Sequence, residues 1–258
     1  KEYIASSSNP KIKNVRKLLE KSSERKSQNL IVVEGMREIN LAKESGFEIE
    51  TLFVCDEIAK HAIPDDATVI YISKNVFGKI AYRENSDGLI ALAKPKILKL
   101  SDLTLSQNPL IIILESVEKP GNLGAILRTA DAAHADAVII CDSKTDIYNP
   151  NVIRSSVGCV FTNQVIVSST DEVLKFLMER KIKSFAAALT ATKFYTDEDL
   201  KQPCALVMGA EAEGLTDKWL SSAYGQIKIP MSGKIDSLNV STSCAILVFE
   251  AVRQRNST

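Results

Sequence analysis

The sequence has no long apolar run. Its longest aliphatic stretch, Leu110–Leu114, is five residues, against the roughly 20 needed to span a bilayer. The opening residues also lack the cationic, apolar and small-residue order of a signal peptide. The expectation is a soluble, cytoplasmic protein with no membrane partner. Histidine is nearly absent, with only His61 and His134. The five cysteines are odd in number and form no C-x-x-C pair. That excludes a zinc ribbon and a disulfide framework, and no metal site is expected. There is no G-x-G-x-x-G, so the dinucleotide-binding fingerprint is missing. Net charge is zero, with 32 basic and 32 acidic residues, so no global field would attract a polyanion.

What the chain does have is ordinary globular material, 45% hydrophobic and 25% charged, enough apolar surface to offset the entropy of ordering. Charge is uneven locally: the first 30 residues carry eight basic against three acidic side chains. Such a patch can steer a polyanion at short range or simply coat a solvated helix face. Asn9-Pro10 reads as an N-cap with Pro at the first helical position, and Ile12, Val15, Leu18 and Leu19 follow at helical spacing to about Ser27. A strand at Leu30–Val33, a helix at Arg37–Ser45, apolar runs at Ile49–Val54, Thr68–Ile72 and Leu89–Ala93, and a helix at Lys74–Ala81 make a small α/β unit. The domain reading is 1–100 for this unit, 101–107 for a polar linker and 108–258 for a second domain.

In the second domain strands alternate with helices: Leu110–Leu114, a helix near Leu123–His134, Ala137–Cys141, a helix near Asp171–Arg180, Ile182–Ala188, Cys204–Met208, Gln226–Ile229 and a last helix from about Ser237 to Arg253. This alternation argues for an α/β fold with a parallel sheet covered on both faces. Ligands of such sheets sit beyond the carboxyl ends of the strands, and three post-strand segments stand out. In Pro120–Ala130, Gly121 and Gly124 permit close backbone approach, Asn122 can cap a helix, and Arg128 interrupts an apolar helix face. An arginine there must find an acidic partner, snorkel, or meet an anionic ligand. In Met208–Leu215, Gly209 permits close approach of a flat ligand, and Glu211 offers a carboxylate. In Ile229–Val240, Ser237 can cap the last helix and the loop offers free backbone groups.

In this order, N-L-G-A-I-L-R-T-A, L-V-M-G-A-E-A-E-G-L and I-P-M-S-G-x-x-x-S-L-N-V-S resemble the three motifs of the SpoU (TrmH) family of RNA ribose 2′-O-methyltransferases, within the SPOUT superfamily. The likeness runs from about Leu110 to the C-terminus. The stretch V-V-E-G-M-R-E resembles that family's substrate-binding extension. The resemblance implies a parallel α/β domain tied in a deep trefoil knot, preceded by a small α/β RNA-binding domain. It also implies a homodimer and S-adenosyl-L-methionine as cofactor, bordered by Leu189, Gly209, Ile229, Met231 and Leu238. Arg128 is implied as the catalytic residue. A guanidinium rarely gives up its proton, so its expected role is to stabilise a developing alkoxide or orient a phosphate. Asn122 and Glu211 are expected to hold Arg128 and substrate, and Ser237 and Asn239 to position ribose, phosphate and the cofactor loop. The expected substrate is RNA, ribosomal in preference to transfer RNA. A non-catalytic RNA-binding or ribosome-assembly factor is the alternative of a different class. Two positions depart from the family pattern: Glu118-Lys119 where an Asp commonly precedes the Pro, and His134 where a Gly usually follows the first helix.

Overall fold

The fold is seen in a computed structural model, which describes residues 2–60, 67–143 and 145–257; Lys1 and His61 lie outside them. The chain forms two compact units. The first joins Lys1–Lys96 to Asp146–Thr162, and the second joins Ile97–Thr145 to Asn163–Thr258. The boundaries 1–100 and 108–258 expected from sequence do not anticipate this interruption. Its cause is packing: Phe47, Tyr148 and Phe161 form an aromatic cluster, with Phe47 and Phe161 edge to face at 4.9 Å, and the Tyr148 hydroxyl donates to Lys96 O at 2.8 Å.

In the first unit, Asn9 Oδ1 accepts from Lys11 N at 2.9 Å, and Pro10 opens the helix Pro10–Glu20, as the Asn-Pro pair predicts. Ile12, Val15 and Leu18 are buried. The helix does not continue to Ser27. It stops at Lys21, whose backbone is extended, and a second helix, Ser22–Gln28, follows. Arg25 accounts for the break. Its guanidinium is 4% exposed and turns back to donate to Leu18 O at 2.6 Å and Leu19 O at 3.3 Å. Those are carbonyls that the ended helix leaves unpaired. The same group pairs with Asp146 at 2.8 Å. Arg25 therefore leaves the expected basic face, and Lys11 is paired with Glu2 at 2.6 Å.

Strands β1 (Glu2–Ile4), β2 (Ile31–Glu34), β3 (Ile49–Val54), β4 (Thr68–Ile72) and β5 (Leu89–Ala93) build a mixed sheet in the order β1-β4-β3-β5-β2. β5 runs antiparallel to both neighbours.

The second unit is a seven-stranded sheet of β6 (Leu110–Glu115), β7 (Ala137–Cys141), β8 (Val165–Ser168), β9 (Lys183–Ala187), β10 (Lys193–Phe194), β11 (Cys204–Met208) and β12 (Gly225–Lys228). Its order is β10-β12-β9-β11-β6-β7-β8, and every pair is parallel. All residues of β6, β7 and β11 are buried, so both faces of the sheet centre are covered. Cys141, Cys204 and Cys244 are part of this buried interior, and desolvation pushes the Cys141 and Cys244 thiols up to about 12. The helix Pro120–Ala132 packs against the last helix, Val240–Asn256. It ends on His134, whose φ is +52°. Ala135 N bonds Ala130 O at 2.9 Å, the hydrogen-bond pattern of a helix closed by a left-handed residue, usually glycine.

Candidate active site

Three neighbouring strands, β11, β9 and β12, end side by side, and their carboxyl ends open into one cleft of about 340 Å³. It is lined by residues that follow β9 (Ala188–Thr190), β11 (Gly209–Leu215) and β12 (Ile229, Met231), and by Asp236–Leu238 with the start of the last helix. Leu189, Gly209, Ile229, Met231 and Leu238, expected from sequence to border a cofactor, all line this cleft. Its size falls in the usual range for small-molecule sites.

Gly209 is needed for a reason the sequence did not reveal. A Cβ there would overlap the carbonyl of Gly214 and lie 2.5 Å from Leu215 N. The loop folds back on its own start, closed by Gly214 N donating to Ala210 O at 2.9 Å. The close approach is thus made by the protein's own backbone. Gly121 shows the opposite: nothing stands within 4 Å of a Cβ built there.

The far end of this loop is pinned by Glu115, a residue the sequence reading passed over. Buried at the end of β6, its carboxylate accepts from Thr216 N at 2.7 Å and Thr216 Oγ1 at 2.9 Å. The available signal was a lone acid closing an otherwise aliphatic strand.

At the mouth, Glu211 joins the three segments. Its Oε1 accepts from Asn122 Nδ2 at 2.7 Å and Asn239 Nδ2 at 2.8 Å, and its Oε2 accepts from Lys119 Nζ at 2.7 Å. Asn239 Nδ2 also donates to Asn122 Oδ1 at 3.1 Å. The Lys119 hydrogen bond, then that of Asn122, holds the Glu211 carboxyl below the usual carboxylate range.

These contacts correct two capping assignments. Asn122 does not cap its helix, because Pro120 opens it and the Asn122 side chain turns to Glu211. Ser237 does not cap the last helix; Asn239 does, its Oδ1 accepting from Ser241 N at 2.9 Å. Ser237 lies in the exposed loop against the cleft. Arg128 is not drawn in either. It is exposed, and among the described residues it makes no hydrogen bond or ion pair, so Asn122 and Glu211 do not hold it in the single chain. Asn122 and Arg128 are six residues apart on a helix, which places them on different faces.

The residues present suit a nucleoside-bearing ligand. Leu189, Ile227, Ile229, Met231 and Leu247 give apolar walls for a flat base. Among the described residues, Met231–Leu238 make no backbone hydrogen bonds, which leaves their donors and acceptors free beside the cleft. Comparison with known proteins agrees. Residues 109–249 match the model described as the SpoU rRNA Methylase family. The chain belongs to that family. Residues 9–91 match the MRM3-like substrate binding domain. The chain is 38% identical over 181 residues to the 23S rRNA (guanosine-2′-O-)-methyltransferase RlmB of Vibrio vulnificus, covering 68% of this chain and 73% of that one. It is 28% identical over 264 residues to the 23S rRNA (uridine(2479)-2′-O)-methyltransferase of Streptomyces viridochromogenes, covering 97% and 92%. The AdoMet-bound rRNA methyltransferase from Sinorhizobium meliloti superposes with a TM-score of 0.89 at 27% identity, covering 99% of both chains. Within this SpoU chain, no group of histidine, cysteine and acidic residues suited to a metal ion occurs among the described residues.

Proposed function

We propose that this protein transfers a methyl group from S-adenosyl-L-methionine to a ribose 2′-hydroxyl of RNA, ribosomal in preference to transfer RNA. The observation that carries this is the Glu211 hub, which ties all three family motifs to one mouth beside an apolar cleft. The cofactor supplies a methyl group already activated by positive sulfur. The chain's tasks are therefore to align the hydroxyl with that methyl and to manage the hydroxyl's proton.

Leu189, Gly209, Ile229, Met231 and Leu238 hold the cofactor through the cleft wall and loop backbone. Asn122, Glu211 and Asn239 form a rigid polar frame for the ribose, with Ser237 beside it. Arg128 stabilises negative charge on the attacking oxygen or orients the adjacent phosphate, since a guanidinium only donates. Ile246 and Val252, half-buried, and Phe249, 45% exposed, form a partly uncovered apolar face on the last helix. This is the face on which a homodimer forms. The chain after β11 threads as the family's trefoil knot. The first unit is the RNA-binding domain, and action on ribosomal RNA places the protein in the cytoplasm.

The test is methyl transfer from labelled S-adenosylmethionine to ribosomal and transfer RNA, with mass spectrometry of digests to locate the 2′-O-methyl nucleotide. Arg128→Ala lowers kcat about 10²–10³-fold with cofactor affinity unchanged. Near-native turnover in that variant removes the catalytic role. Binding of RNA without methylation by the wild type makes the protein a non-catalytic RNA-binding factor.

A further inference from the structure

The three donors on Glu211 are not equivalent. Asn122 sits in the first turn of the helix Pro120–Ala132, and Asn239 is fixed because its Oδ1 caps the last helix. Both amides are short, and both bind the same oxygen, Oε1. Lys119 alone holds Oε2, from the end of a four-carbon stem that is 75% exposed. It occupies the N-cap position, but its side chain makes no capping bond. An exposed lysine–carboxylate pair is a weak attachment, easily exchanged for another anion. Open space surrounds Gly121 two residues on. A ribose needs an acceptor for its hydroxyls, and of the two carboxylate oxygens Oε2 is the one held by a single, exposed side chain.

We propose that Lys119 is a latch exchanged by substrate: in the free protein it holds Glu211 Oε2, and on RNA binding its ammonium passes to a backbone phosphate, leaving Oε2 to accept from a ribose hydroxyl. This rests on the RNA methyltransferase reading and adds Lys119 to it as a phosphate-contacting, positioning residue. The Lys at this position, where the resemblance expects Asp, makes the latch a property of this chain.

The experiment measures binding of one in vitro 23S rRNA transcript across a salt series for wild type, Lys119→Ala and Lys119→Arg. Loss of one phosphate contact makes the slope of log K against log salt shallower by about 0.7–0.9. The expected Lys119→Ala result is that change, roughly tenfold weaker binding, a matching rise in KM with little change in kcat, and an unaltered thermal shift by S-adenosylmethionine. Lys119→Arg keeps the wild-type slope. The exchange is tested in a Glu211→Gln background, where the ion pair that holds the ammonium is lost and only a neutral acceptor remains: the Lys119→Ala penalty on RNA binding is larger there than in wild type. An unchanged slope, a lost cofactor shift, or an equal penalty in both backgrounds overturns the latch. Absence of salt-dependent RNA binding by the wild type overturns the RNA reading itself.

Discussion

Replacing Gly209 by alanine tests whether the cleft depends on a loop that closes upon itself. The added methyl would sit 2.5 Å from Leu215 N and nearer still to the Gly214 carbonyl, backbone atoms that cannot rotate aside. The loop cannot drift as a body either, since Met208 is buried in β11 and Thr216 is held by Glu115. It must open. That forfeits the Gly214–Ala210 hydrogen bond, about 1 kcal/mol, and adds overpacking of about 1–3 kcal/mol. The sum, about 2–4 kcal/mol, is a fraction of a typical stability of roughly 5–15 kcal/mol, so the chain stays folded. At about 2–4 °C per kcal/mol for a protein of this size, the melting temperature falls by about 4–16 °C. Calorimetric titration with S-adenosylmethionine is expected to show affinity reduced by more than about tenfold, equivalent to 1.4 kcal/mol. Gly233→Ala is the control: nothing lies within 4 Å of a Cβ built there, and the change should stay within about 0.5 kcal/mol. A Gly209→Ala protein that melts like wild type and binds the cofactor within about twofold would refute the argument.

Arg25→Ala strands the buried Leu18 carbonyl and takes the cation from Asp146, a half-buried carboxylate that keeps its hydrogen bond from Tyr148 N. It should cost about 3–5 kcal/mol in urea denaturation, and a loss below about 1 kcal/mol rejects the role given to Arg25. His134→Gly relieves about 1–2 kcal/mol of left-handed strain against about 0.5–1 kcal/mol of added chain entropy. The net is a gain of about 0–1.5 kcal/mol with methyl transfer intact; lost transfer would point to a chemical role for His134. Glu250 is buried, and the Arg253 hydrogen bond holds its carboxyl below its usual 4.5. A depressed folded value contributes stability above the unfolded value and loses it as pH falls through the folded one. The difference between wild type and Glu250→Gln in denaturation should therefore shrink below about pH 4.5; a difference independent of pH contradicts it.

Much of this protein was legible in one dimension. Strands β3, β4, β5, β7 and β11 lie where their apolar runs begin and end; β5, β7 and β11 are buried throughout and so read as unbroken apolar stretches, while β3 and β4 keep exposed positions among their buried ones. Asn9-Pro10 marked a helix start by local chemistry alone. Asn149-Pro150 carries the same signature and caps the helix Pro150–Ser155, with Asn149 Oδ1 accepting from Asn151 N at 2.8 Å, but its short apolar pattern hid it. Five residues that the resemblance to the SpoU family implied, Leu189, Gly209, Ile229, Met231 and Leu238, line the cleft; spacing alone pointed only to the loops after the strands.

What sequence could not decide are contacts made between distant positions. The pairing of Arg25 with Asp146, the grip of Glu115 on Thr216, and the bonds of Asn239 to Glu211 and Asn122 each depend on a partner brought close by the fold. Gly209 illustrates the division: its requirement for no side chain is written at one position, while the reason lies in Gly214 and Leu215 closing over it. Local propensity and periodicity act within a few residues and can be read directly. Hydrogen bonds and ion pairs across 89 to 101 residues, such as those joining Asn122 to Glu211 and Glu115 to Thr216, exist only after the sheet has set its strand order.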